Sequence, residues 1–240
     1  MPAPRIHVDQ PLAPGMELAL GAHGTRHVQV LRLQPGDALT LFDGRGGQWG
    51  GAVVAMSRRE VRVRTLQHEA IERELPLQVT LAVGMPANER MDILLEKATE
   101  LGAAAIQPLV CERSVLRVAG ERALRKAAHW QAVAVAACEQ CGRNRVPAIG
   151  APVALGDWLP TVEAGVACWL LSLGEAQPWP PARGAATRVV LLSGPEGGFT
   201  AQEEAAARAA GFVACSLGAR VLRADTAPLA ALAWLALQSA

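Results

Sequence analysis

Two loops near the C-terminal end, SGPEGGFT (193–200) and LGARVLRADTA (217–227), each sit between an apolar strand pattern and a helical one. A strand that leaves through glycine into a helix start exposes backbone N–H and C=O groups at one edge of a sheet. Two such units in succession call for parallel strands joined by helical crossovers. They also place a small-molecule site at the C-terminal ends of those strands.

The preceding residues keep the same rhythm. LQVTLAVG (77–84) lacks polar alternation, as in a strand covered on both faces. RMDILLEKATELG (90–102) predicts an amphipathic helix stopped at Gly102. AAIQPLV (104–110), CWLLSL (168–173), RVVLLS (188–193) and VACSL (213–217) read as further strands. ALRKAAHWQAVAVAACEQ (123–140) and DTAPLAALAWLALQ (225–238) read as helices, and Thr200 with Glu203 forms a capping box that opens another. Strands alternating with helices predict an α/β fold, one sheet with helices on both faces.

Before ERELP (72–76) the pattern is different. RIHV (5–8), the alternating HVQVLRL (27–33), ALTLFD (38–43), WGGAVVAMS (49–57) and REVRVRTLQ (59–67) read as short strands of a compact barrel, with tight turns at QPGD (34–37) and GRGG (44–47) and no obvious long helix. The chain therefore divides into a β-rich domain over residues 1–75 and an α/β domain over 76–240. Arg62 and Arg64 alternate with Val61 and Val63, so both share one strand face, either as a solubilising surface or as an RNA phosphate contact.

Several function classes drop out. A net charge of +1 does not announce a nucleic-acid partner, which would need a local patch. The five cysteines form no secreted disulfide framework; Cys138 and Cys141 make a CxxC with no second pair, and His129 is poorly spaced to complete a zinc site, so no metal is expected. No run of apolar residues is long enough to span a bilayer and no leader-like segment opens the chain, which fits a reducing cytoplasm and no membrane partner. GPEGG is not the dinucleotide fingerprint, because it lies near the end of its domain rather than the start, and no GxxxxGK[ST] is present.

In RMDILLEKATELG, ERS (112–114), EQCGRNRVPAI (139–149) and the final SGPEGGFT…SLGARVLRADTA, the chain resembles the RsmE family of the SPOUT class of RNA methyltransferases. HVQVLRLQPGD (27–37) and FDGRGG (42–47) match that family's PUA-like barrel. The resemblance runs in order along essentially the whole chain. It implies a SPOUT methyltransferase fold with a C-terminal trefoil knot, preceded by a small PUA-like RNA-binding β-barrel. It also implies a homodimer with S-adenosylmethionine as cofactor, and methylation of N3 of a uridine in 16S ribosomal RNA, within the assembled 30S subunit.

Carried over residue by residue, the resemblance places the cofactor against Leu171, Leu173, Leu192, Gly194, Gly197, Gly198, Leu217, Gly218, Val221 and Leu222. Adenine is flat, and backbone groups can read its edge where glycines leave room. Deprotonating a uridine N3 favours a cation near the developing anion; Arg223 takes that role or binds the target phosphate, with a salt bridge across the knot as the alternative. Glu196 is the carboxylate nearest the expected sulfonium, or else a loop-fixing acceptor. Arg90, Arg113, Arg117, Arg143 and Arg145 supply charge for the RNA backbone. Two departures stand out. Asp225 replaces the family's commoner Glu and is placed to cap the last helix or support Arg223, and Ala87 with Asn88 stands where the family often has a lysine. The competing readings are a SPOUT enzyme acting on a ribose 2′-OH, a non-catalytic RNA-binding module and a nicotinamide oxidoreductase.

Overall fold

The computed structural model describes residues 3–118, 120–180 and 184–239. The chain forms two compact units. The first comprises the residues up to Glu74 together with Val135–Val146, and the second comprises Leu75–Ala134 and Pro147–Ala240.

In the first unit, β1 (Arg5–His7), β2 (Glu17–Ala19), β3 (Ala38–Phe42), β4 (Gln48–Met56) and β5 (Val61–Glu69) form one sheet in the order β1-β3-β4-β5-β2. β1 runs parallel to β3, and the other pairings are antiparallel. The alternation of Val61 and Val63 with arginines is realised literally: both valines are fully buried in a core with Ile6, Val28, Leu39 and Leu41.

HVQVLRL is not a strand. It falls in and after the helix α1 (Ala22–Val30). The buried residues Gly24, Thr25 and Val28 repeat at helical spacing, whereas Val30 and Leu31 are 70% and 43% exposed. The alternating apolar residues therefore mark no single face. Gly24 lets α1 pack closely on β1, since a Cβ there would stand 3.0 Å from Ile6 Cγ2.

Val135–Val146 joins this unit through polar chemistry. The buried Glu139 accepts from His7 N at 2.9 Å and pairs with His23 Nε2 at 3.0 Å. Asn144 donates to Ile71 O at 2.6 Å and accepts from Arg5 Nη2 at 2.7 Å. Arg143 is buried, with Glu74 as its carboxylate partner. The EQCGRNR stretch is thus a structural tie within the barrel unit.

The second unit holds an eight-stranded sheet. Its strands are β6 (Gln78–Gly84), β7 (Ala105–Val110), β8 (Ala148–Ile149), β9 (Val153–Ala154), β10 (Ala167–Leu171), β11 (Gln177–Pro178), β12 (Arg188–Ser193) and β13 (Val213–Ser216). The order is β11-β13-β10-β12-β6-β7-β8, with β9 also on β7, and every pairing is parallel. The helices are α2 (Asn88–Glu100), α3 (Gly120–Cys141, of which the last turns count with the first unit), α4 (Leu155–Trp158, continued by a 3₁₀ turn at Leu159–Thr161), α5 (Ala201–Ala209) and α6 (Thr226–Ser239).

The missing polar alternation in β12 has a direct cause. Val189 and Leu191 pack into the core with Trp130, Trp169 and Leu232, while Val190 and Leu192 pack into a second core with Leu155, Leu170 and Phe212. Both faces are covered, so both sets of side chains are apolar. On α2, Met91, Leu94, Leu95 and Ala98 form the buried stripe, and each large side chain contributes ~1.5–3 kcal/mol of burial. Among the described residues no helix is long and apolar enough to cross a membrane.

Candidate active site

Because β10, β12 and β13 are parallel and β10 pairs with both of the others, the loops that follow them emerge side by side. They enclose a cavity of about 570 Å³, within the range of small-molecule pockets. Its walls include Leu171, Leu173, Gly194, Gly197, Gly198, Leu217, Gly218, Val221 and Leu222, all expected from the sequence. Leu192 is the exception. It is fully buried in the second core, and Ser193, one residue further along β12, lines the cavity in its place.

The GPEGG loop is held from several sides. Pro195 O accepts from Gly198 N at 2.8 Å, closing a tight turn that Gly198 completes at φ 67°. Glu196 Oε1 accepts from Ala87 N at 3.0 Å and lies 3.9 Å from Arg90 Nη1, so this carboxylate fixes the loop to the start of α2. Arg113 Nη1 donates to Gly197 O at 3.2 Å and to Phe199 O at 3.3 Å, with no room for a Cβ on Gly197, which would stand 2.8 Å from Arg113 Cβ. The capping box of α5 is complete, and Glu203 Oε1 also accepts from Glu112 N at 2.8 Å. The ERS segment is thereby drawn to the cavity's edge.

Sequence reasoning missed part of the wall. Ser172 donates to Glu204 Oε1 at 3.0 Å and accepts from Gly174 N at 3.1 Å, which brings a second carboxylate into the lining. Glu204 follows the capping-box residue and carried no signal of its own. Arg220, in the GAR turn, lines the cavity beside Arg223. Both side chains are exposed and make no ion pair among the described residues. Cys215 also lines the cavity; burial pushes its thiol up to about 12, so it is neutral and no nucleophile.

Arg90 and Arg113 line the cavity, and Arg117 donates to Glu112 O at 2.5 Å. In the first unit Arg64 pairs with Glu17, Arg62 lies 3.8 Å from Glu60, and Arg145 lies 3.2 Å from Glu72. Arg143 is 4% exposed, so in this conformation it presents no guanidinium to a phosphate. Asp225 makes no capping bond: its Oδ1 is buried without a hydrogen-bond partner, and α6 begins through Ala227 N donating to Arg223 O at 3.0 Å. In the CxxC, burial pushes the Cys138 thiol up to about 12, so at neutral pH it is protonated.

The donor set fits a cofactor with a flat ring and a cationic centre. The walls are apolar side chains and glycine backbone, and the charged groups are Glu196, Glu204, Arg90, Arg113, Arg220 and Arg223, the last two without an ion pair among the described residues. Leu173 and Val221 are 68% and 77% exposed at the rim, apolar surface that a ligand would cover.

The chain is similar to known proteins over most of its length. Residues 73–236 match an RNA methyltransferase domain, and residues 21–66 match an RNA methyltransferase PUA domain. A ribosomal RNA small subunit methyltransferase E from Synechocystis is 36% identical over 212 residues, covering 85% of this chain and 67% of the relative. One from Mycobacterium bovis is 33% identical over 217 residues, covering 88% of this chain and 82% of the relative. The crystal structure of the Neisseria gonorrhoeae enzyme of that name, bound to S-adenosyl methionine, superposes with a TM-score of 0.93 at 36% identity, covering 97% of this chain and 96% of the other.

Proposed function

This chain belongs to the family of the ribosomal RNA small subunit methyltransferases E, and from that premise we propose that it methylates N3 of a uridine in 16S ribosomal RNA, using S-adenosylmethionine. The observation that carries the reading is the cavity at the ends of β10, β12 and β13, built from the same backbone and apolar groups that the family resemblance assigns to the cofactor.

The glycine backbone of 194–198 and the apolar side chains of Leu171, Leu217 and Leu222 would hold the cofactor, with Glu196 and Glu204 offsetting its positive charge. When bound, it supplies an electrophilic methyl group. The protein's own task is to present a uridine whose N3 has lost its proton. Arg223 and Arg220 perform it electrostatically: two unpaired guanidiniums at the cavity stabilise the anion that spreads over the uracil carbonyl oxygens, so that N3 gives up its proton to solvent water. Glu196 is a positioning residue in this account, because its Oε1 is committed to Ala87 N. The substrate is the folded RNA of the 30S subunit, which places the enzyme in the cytoplasm. The chain acts as a homodimer, as the family resemblance implies.

The test is transfer of a labelled methyl group from S-adenosylmethionine to undermethylated 30S particles. Incorporation of one methyl per particle supports the reading. Cofactor binding without incorporation points to another RNA, and absence of both leaves an RNA-binding module.

A further inference from the structure

The C-terminal turn of α1 carries an unusual residue. Arg32 is the sole non-glycine residue with positive φ, 57°, among the described residues. It closes the helix in the left-handed position, with Arg32 N donating to Gln29 O at 3.0 Å and Leu33 N to Val28 O at 3.2 Å. Glycine is the residue that fits this position without strain, and L side chains adopt it at a cost. A strained residue kept at an exposed site points to a use for its side chain. The dipole at the helix end does not account for it, since any basic residue of the last turn would serve and His27 already stands there.

The surroundings indicate the use. Gln29 Nε2 donates to Ser57 O at 3.1 Å and to Arg58 O at 3.3 Å, which fixes the β4–β5 turn beside the end of α1. Arg32, Arg58 and Arg59 are all exposed, and none makes a side-chain hydrogen bond or ion pair among the described residues. The arginines on β5 differ, with Glu17 and Glu60 as partners. The chain as a whole is nearly neutral, at +1, so three uncompensated guanidiniums on two adjoining turns are a local excess. Beside them Val30 and Leu31 stay exposed, apolar surface suited to packing on sugars or splayed bases.

We propose that the barrel docks on ribosomal RNA through this surface, with Arg32, Arg58 and Arg59 on the phosphate backbone, rather than through the β5 face of Arg62 and Arg64. The inference rests on the proposed function for its partner, folded small-subunit RNA. The geometry of Arg32 supplies an unusual test. Arg32→Gly removes the contact and relieves the backbone at once, so the variant melts at or up to about 2–4 °C above the wild type while binding 30S particles more weakly. The triple variant with Arg58→Ala and Arg59→Ala loses about tenfold or more in affinity at 0.15 M salt, and the salt dependence flattens by roughly one unit of slope per lost contact. Arg32→Lys keeps most of the binding and none of the stability gain.

Cofactor affinity, read by calorimetry, stays at the wild-type value throughout. If the wild type methylates 30S particles and the triple variant binds them equally well with unchanged salt slope, the surface is refuted and the proposed function stands. If the wild type neither binds nor methylates small-subunit RNA, the proposed function falls and this docking surface falls with it. Loss of binding to a protein partner with RNA binding intact would likewise overturn it.

Discussion

Gly84 offers a way to disturb the candidate site without touching it. It ends β6, one residue beyond the register pair Val83 and Ser193, so it faces the start of the GPEGG loop. A Cβ at Gly84 would stand 2.5 Å from Pro195 Cδ and 2.6 Å from Pro195 N. Ordinary carbon contacts are ~3.5–4.0 Å, so the loop must move by about 1 Å. Neither neighbour is the far end of a flexible side chain. Overpacking of this kind costs ~1–3 kcal/mol, offset by ~0.4–1 kcal/mol from the stiffer unfolded chain. For a domain of this size the net ~1–2 kcal/mol lowers Tm by roughly 2–8 °C. A displaced loop that forfeits one backbone hydrogen bond to the cofactor loses ~1 kcal/mol, which weakens binding about 5- to 10-fold. Calorimetric titration of Gly84→Ala with S-adenosylmethionine, beside a thermal melt, measures both effects. Gly156→Ala is the control: its Cβ meets nothing within 4 Å, so neither quantity should suffer. Wild-type affinity in Gly84→Ala would refute the argument that β6 sets the position of the cavity loop.

Other outcomes follow from the same contacts. Thr200→Ala removes one capping bond of α5 and costs ~1 kcal/mol, whereas Glu203→Ala also strips the acceptor from Glu112 N and costs ~2 kcal/mol, with denaturant melts giving the difference. Burial holds the His7 imidazole below its ordinary value of 6.5. The unfolded chain then takes up its proton first, so the stability tied to neutral His7 is complete above pH 6.5 and is lost as pH falls through the folded value; Tm of His7→Gln should fall less than that of the wild type between pH 7.5 and 5.5. Burial pushes the thiols of Cys111, Cys138 and Cys215 up to about 12, so iodoacetamide at pH 8 should leave all three unmodified in the native protein and label them once it is unfolded, as peptide mass mapping would report.

What the sequence disclosed, and what it did not, has physical reasons. A strand such as β12, buried on both faces, writes its surroundings into an unbroken apolar run, and Thr200 with Glu203 writes a helix start at fixed spacing. The two glycine loops were legible as a ligand site because each follows such a strand, whereas the individual lining residues came from the family resemblance. α1 was not legible, because its β-branched residues mimic a strand and the close packing of Gly24 on Ile6 joins residues distant in sequence. Arg143 reads as surface charge until Glu74 is brought to it. Arg64 reads as free for the same lack, since its partner Glu17 is brought to it only by strand register. Leu192 was displaced from the site by a single step of strand alternation.

The most direct test of the account is to map the methyl group. Undermethylated 30S particles are incubated with S-adenosylmethionine and either the wild type or Arg223→Ala, and the 16S RNA is digested and read by mass spectrometry. The wild type should add one methyl to a uracil base, and Arg223→Ala should transfer it about 100-fold more slowly at unchanged cofactor affinity. A methyl on ribose, or full activity in Arg223→Ala, would contradict it.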